Sequence, residues 1–171
     1  MEDLNRLSTG EFKSREKFKI SIILDNVRSL QNIGSIFRTS DAFAIHKIYL
    51  CGITGTPPQR EIERTALGAT ESVNWQYFEK IEDALRECQN QNHEIWAIEQ
   101  LDISQSLEEF IPDKGKHYAL IFGNEVNGVS ESTFPFLNGG IEIPQFGTKH
   151  SFNISVSVGI VIWDFFMKTR V

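Results

Sequence analysis

Runs of apolar residues alternate along the chain with amphipathic stretches, and the period changes between them. "FKISIILDNV" (18–27) is β-branched and apolar, and ends on Asp-Asn, the pattern of a strand buried on both faces. "QNIGSIFRTSDAF" (31–43) places Ile33, Ile36, Phe37 and Phe43 at near-helical spacing, so it predicts a helix opened by Asn32. "HKIYLCGIT" (46–54) predicts a second strand, "GTPPQ" (55–59) a loop, and "REIERTALGA" (60–69) a short helix stopped by Gly68. "SVNWQYF" (72–78) reads as a strand and "EKIEDALRECQNQ" (79–91) as a charged amphipathic helix. Two more strands, "HEIWAIEQ" (93–100) and "HYALIFG" (117–123), are followed by a short helix at "SESTFPFL" (130–137), ended by Pro135. A last strand, "GGIEIPQ" (139–145), precedes the helix "NISVSVGIVIWDFFMKT" (153–169). This alternation defines an α/β class with a mainly parallel sheet flanked by helices.

The last helix is apolar nearly all round, from Val156 to Met167, so burial on several faces is expected. A second subunit is the expected cover, and deep burial in one subunit the alternative. Ser155, Ser157 and Gly159 are small enough for another backbone to approach.

The chain has 171 residues, 40% hydrophobic and 23% charged, enough for one domain with a real core. No signal peptide or membrane span is read, since no stretch is apolar over the ~20 residues a bilayer requires. Cys51 and Cys88 lack metal spacing, which suits a reduced, cytoplasmic protein. The net charge of −6 argues mildly against a nucleic-acid partner. Its distribution weakens that argument, because residues 79–113 hold ten acidic and two basic residues. The remainder carries fifteen basic and thirteen acidic ones. Lys13, Arg15, Lys17 and Lys19 cluster around a single acid, Glu16, so a basic arm toward RNA is one reading and a solvated helical tail the other.

In open parallel sheets, ligands bind beyond the carboxyl ends of the strands. Three loops lie there: "LDNVRSLQNIG" (24–34), "FGNEVNGVS" (122–130) and "IPQFGTKHSFN" (143–153). All are richer in Asn, Gly and Ser than turns require. The second lacks both Walker and GxGxxG patterns. Glu125 is its candidate polar anchor, while a plain Asn127-Gly128 turn with a solvated Glu125 is the alternative. Ser151 and Asn153 are ordinary helix N-caps, yet one helix start needs only one of them. Lys149 and His150 add positive character, and His150 is a candidate base with nothing nearby to fix its tautomer. Arg38 has a local candidate partner in Asp41, at i,i+3.

Taken in order, "NIGSIFRTSDAF", "IFGNEVNGVS" and "IEIPQFGTKHSFNISVSVGIVIW" resemble the three motifs of the SpoU/TrmH family of SPOUT RNA methyltransferases, from about Ile20 to the end. The resemblance implies a C-terminal deep trefoil knot in the last third of a single domain (20–171), preceded by a basic and polar extension (1–19). It implies an obligate homodimer through the knot region and the last helix. It implies S-adenosyl-L-methionine as cofactor, held largely by backbone near Ile98 or Glu99, Gly123, Ile143 and Phe152. The family usually has a smaller aliphatic residue at Phe152, and commonly Gly at Ala44. The functional residues carried over are Asn32 and Arg38, then Glu125, then Ser151 and Asn153; all five are present. The implied reaction methylates a ribose 2′-hydroxyl of RNA without a metal. Because Arg is a poor proton acceptor, Arg38 is assigned to stabilising the developing alkoxide. The third motif looks more like the branch acting on the D-loop guanosine of tRNA than the wobble-position branch. The form is minimal, without the N-terminal substrate-binding domain that many relatives carry. The alternatives are an rRNA 2′-O-methyltransferase, a non-catalytic RNA-binding dimer of the same fold, and an unrelated nucleotide-binding α/β protein.

Overall fold

A computed structural model of the chain describes residues 9–148 and 151–170. Seven strands form one sheet in the order β3-β2-β1-β6-β4-β7-β5, and every paired neighbour is parallel. They are β1 Phe18–Asp25, β2 Ile45–Cys51, β3 Trp75–Phe78, β4 His93–Ile98, β5 Ser104–Ser106, β6 His117–Phe122 and β7 Gly139–Glu142. The two central strands are the most continuously apolar. Ile22, Ile23 and Leu24 of β1, and Ala119, Leu120 and Ile121 of β6, are fully buried, because helices cover both faces.

On one face, Ile20, Ile22 and Leu24 pack with α2 (Leu30–Ala42), α3 (Arg60–Ala66) and α6 (Ile154–Thr169) through Ile33, Phe37, Ile62, Val158 and Phe165. On the other, Ile23, Tyr49 and Ile121 pack with α5 (Ile81–Asn90) through Ile81, Ala84 and Leu85. The mainly parallel α/β class expected from the alternation is therefore the observed one. Two short helices, α1 (Thr9–Ser14) and α4 (Ala69–Ser72), and the edge strand β5 complete it.

Several element ends differ from expectation for local reasons. Ser29, not Asn32, opens α2: its hydroxyl accepts the Asn32 N–H at 3.3 Å, which places Asn32 inside the first turn. α3 stops at Ala66, with Leu67 left-handed (φ 52) and Gly68 (φ 88) leading into α4. Pro135 lies within a 3₁₀ helix, Glu131–Phe136, and does not end it. Ala44, where the resemblance implies Gly, is left-handed (φ 49) just after α2, so the departure falls on a helix end.

α6 buries one face only within the chain. Val156, Trp163 and Met167 remain exposed, so the burial on several faces expected of this helix is not reached by one chain. Among the described residues no helix is long and apolar enough to cross a membrane. Two features position the site. β7 enters between β4 and β5, both earlier in the chain. β1, β4, β6 and β7 also end in step, with Leu24 opposite Phe122, Ala97 opposite Ile121 and Ile98 opposite Ile141.

Candidate active site

Where those strand ends meet, the loops after β4, β6 and β7 enclose a cleft of about 970 Å³. Ile98, Gly123, Ile143 and Phe152, the four residues expected to hold a cofactor, all line it, as do Glu125 and Ser151. The loop after β6 is wound tightly. Asn124 and Gly128 exchange backbone hydrogen bonds of 3.0 and 2.9 Å, and Asn124 Oδ1 accepts the N–H groups of Val126 and Asn127. Gly128 needs its left-handed φ of 67 for this turn, and a Cβ on it would press on the Glu99 carboxylate. A Cβ on Gly123 would collide with the backbone of Gly128 and Val129. Asn127-Gly128 is thus a turn, and Glu125 lines the cleft while remaining exposed.

A buried network ties this loop to the one after β1. Asp25, 1% exposed, accepts the Ser130 N–H (2.7 Å) and the Asn26 amide (2.8 Å) on its two oxygens. The Asn124 amide in turn donates to the Asn26 carbonyl at 2.8 Å. These residues were missed in the sequence. The signal was present, as Asp-Asn at the end of β1 and Asn after β6 exceed what the turns need.

Three of the five carried-over polar residues meet at the cleft's rim. Asn153 caps α6, its Oδ1 accepting the Ser155 N–H (2.9 Å) and hydroxyl (2.7 Å). That leaves its amide to donate to Asn32 Oδ1 (3.1 Å), and the Asn32 amide donates to Glu125 Oε1 (3.4 Å). One residue from each loop joins a single donor chain ending on a carboxylate. Ser151 stands beside it on the lining, exposed.

Arg38 is not brought into this cluster. It is exposed on α2, outside the lining residues, with no hydrogen bond or ion pair among the described residues. The local pair with Asp41 does not form, and Asp41 accepts the Ser72 hydroxyl. Gly34 proves to serve packing: a Cβ there would collide with the Ile62 carbonyl and the Thr65 hydroxyl of α3. Lys149 and His150 lie outside the described residues.

The charge of the cleft limits what it can hold. Glu99, Glu125, Glu131 and Glu142 line it, and no Lys, Arg or His does among the described residues. These four carboxylates favour a cation. Its apolar walls, Ile98, Ile143 and Phe152, suit a flat base. A nucleoside bearing a positive sulfonium matches both features; a nucleotide phosphate does not.

Residues 19–163 match the model of the SpoU rRNA methylase family. A tRNA (guanosine(18)-2′-O)-methyltransferase of Thermus thermophilus is 26% identical over 162 residues, covering 95% of this chain and 81% of that protein. Among solved structures, an AdoMet-bound rRNA methyltransferase from Sinorhizobium meliloti superposes with a TM-score of 0.81 at 26% identity. It covers 89% of this chain, which spans only 57% of the S. meliloti one. A TrmH/SpoU tRNA-modifying enzyme of A. aeolicus gives 0.80 at 26% identity, covering 93% of this chain and 79% of its own.

Proposed function

The chain belongs to the SpoU methylase family, and on that premise we propose that it transfers a methyl group from S-adenosyl-L-methionine to a ribose 2′-hydroxyl of RNA. The observation that carries the reading is the acidic, apolar-walled cleft with the Asn153–Asn32–Glu125 chain at its rim. When bound there, S-adenosyl-L-methionine supplies an electrophilic methyl group on a positively charged sulfur.

The chain's own residues would do the rest. Gly123 lets the loop backbone close against the ligand, while Ile98, Ile143 and Phe152 form the walls. The carboxylates favour the cationic sulfonium over its neutral product, which assists release after transfer. Asn32, Asn153, Glu125 and Ser151 orient the ribose, since amides and a hydroxyl both donate and accept. A guanidinium is a poor proton acceptor, so the role of Arg38 is to stabilise oxyanion and phosphate charge as the hydroxyl loses its proton.

Among the described residues Arg38 has no hydrogen-bond or ion-pair partner and lies outside this chain's own cleft, and α6 leaves Val156, Trp163 and Met167 uncovered. Both facts support a homodimer in which α6 packs on its partner and Arg38 serves the cofactor of the other subunit. The insertion of β7 between β4 and β5, with Lys168 donating back to the Leu107 carbonyl at 2.5 Å, supports a deep trefoil knot in the last third. The methyltransferase domain is taken as 20–171, with 1–19 as a basic and polar extension, in a cytoplasmic protein.

The favoured substrate is tRNA, at the D-loop guanosine, by likeness to the T. thermophilus enzyme. The equal identity to the S. meliloti rRNA methyltransferase keeps rRNA as the second reading. Titration calorimetry with S-adenosyl-L-methionine, followed by methyl transfer to bulk tRNA and rRNA, tests the proposal. Binding and transfer to tRNA are expected; binding without transfer to any RNA would mean a non-catalytic RNA-binding dimer.

A further inference from the structure

At the opposite edge of the sheet, where β1 and β6 begin, lies a second cleft, of about 450 Å³. β6 has six residues, so at about 3.3 Å per residue the two clefts stand roughly 20 Å apart. Five cations line the second one: Arg15, Lys17, Lys19, Lys114 and Lys116. Only Glu16 and Asp113 oppose them, so the cleft is positive on a chain whose net charge is −6. Phe18, Phe43 and Phe166 supply apolar surface within it.

Two of the cations are already engaged. The Lys17 ammonium donates to the Phe12 carbonyl at 2.6 Å, and the Lys116 ammonium pairs with Glu94. Arg15, Lys19 and Lys114 are exposed, and their side chains make no hydrogen bond or ion pair among the described residues. They come from three segments: the α1–β1 link, β1, and the loop before β6.

We propose that this cleft binds the phosphate backbone of the substrate RNA, several nucleotides away from the ribose presented to the methyl-transfer cleft. A polyanion satisfies three free cations at once, and bases or sugars pack on the Phe rings. Isologous contact with a second copy would set like charges against each other. The carboxylates Glu99, Glu125, Glu131 and Glu142 of the transfer cleft attract no phosphate, so a separate cationic surface adds to the affinity for RNA.

The proposal rests on RNA being the substrate, and the test separates the two ideas. The triple variant Arg15→Gln/Lys19→Gln/Lys114→Gln is compared with the unaltered protein and with Lys80→Gln, an exposed cation capping α5. tRNA binding is measured from 50 to 200 mM salt, together with S-adenosyl-L-methionine affinity, kcat and KM. Losing three phosphate contacts should flatten the log K against log salt slope by about 2–3 and weaken tRNA binding roughly tenfold or more at the low-salt end. The loss should fall on KM for RNA, with cofactor affinity unchanged and Lys80→Gln inert. An unchanged slope and affinity in the triple variant overturns the cleft while leaving the methyltransferase reading intact. So does a changed oligomeric state with unaltered RNA binding, which would assign the cleft to a protein contact. If the unaltered protein binds no RNA and methylates none, the RNA reading itself fails and this inference falls with it.

Discussion

Replacing Gly123 by Ala changes one hydrogen into a methyl group at the tightest point of the transfer cleft. The new Cβ would lie closer than 3.0 Å to the Gly128 carbonyl carbon and oxygen and to the Val129 nitrogen. These are backbone atoms, so no side chain can rotate away. The strand behind is fixed by β1 and β4, and the loop tip in front, Glu125 to Asn127, is exposed. The loop must therefore yield outward, by about 1 Å, at a typical overpacking cost of ~1–3 kcal/mol. That movement stretches the paired Asn124–Gly128 hydrogen bonds, worth about 0.5–1.5 kcal/mol each. Much of this cost is shed by displacement of the loop, so global stability should fall by only about 1–2 kcal/mol. The displaced backbone is the wall expected to hold the cofactor. A mismatch there of about 1.4 kcal/mol already lowers affinity tenfold. Calorimetry with S-adenosyl-L-methionine and urea unfolding of the same variant give both numbers. Cofactor affinity within twofold of the unaltered protein would refute the assignment of this loop to the ligand.

Other consequences are open to measurement. Arg38→Ala should lower kcat by about 10²–10³, as loss of an oxyanion-stabilising group does, without changing cofactor affinity; mixed with Asn153→Ala in verified heterodimers it should recover partial activity, and none would contradict a shared site. Asp25→Ala leaves the Ser130 N–H and the Asn26 amide unpaired, so it should cost about 1–3 kcal/mol in urea unfolding and weaken the cofactor in parallel; an unchanged unfolding midpoint would count against the network. At the edge where β2, β4 and β6 begin, the His93 and His117 rings stack at 3.7 Å beside His46, and burial first, then the mutual charge, pulls His93 down to about 4 and His117 to about 3. The unfolded chain thus takes up these protons more readily: stability should be full above pH 6.5 and fall as pH drops toward 4, by more than about 1 kcal/mol between pH 7 and 5, with His117→Asn flattening the dependence.

Legibility in the sequence followed the range of the interactions. β1 and β6 were plain because burial on both faces demands continuous apolar runs. β5 was invisible because its three residues, Ser-Gln-Ser, are held by pairing with β7, not by any pattern of their own. The start of α2 was misplaced by three residues because Asn32, a good cap by type, lost that position to Ser29, whose hydroxyl reaches it. In the site, the residue types of the three loops were readable, and their convergence was not: Asn32 and Asn153 meet across 121 positions of sequence. Arg38 shows the limit most clearly. Its i,i+3 partner was predictable from helix geometry, whereas the partner Asp41 takes in the fold, the Ser72 hydroxyl, is 31 positions away. Gly34, at the end of the first of the three loops, is explained by its contact with α3 and not by the cleft.

The central claim is that the methyl group goes to a ribose oxygen. Purified protein incubated with isotopically labelled S-adenosyl-L-methionine and bulk tRNA, followed by digestion to nucleosides and mass spectrometry, tests it directly. The account predicts label in a 2′-O-methylated nucleoside, chiefly guanosine, and its loss in Arg38→Ala. Label on a base, or no label in tRNA or rRNA while the cofactor binds, would contradict it.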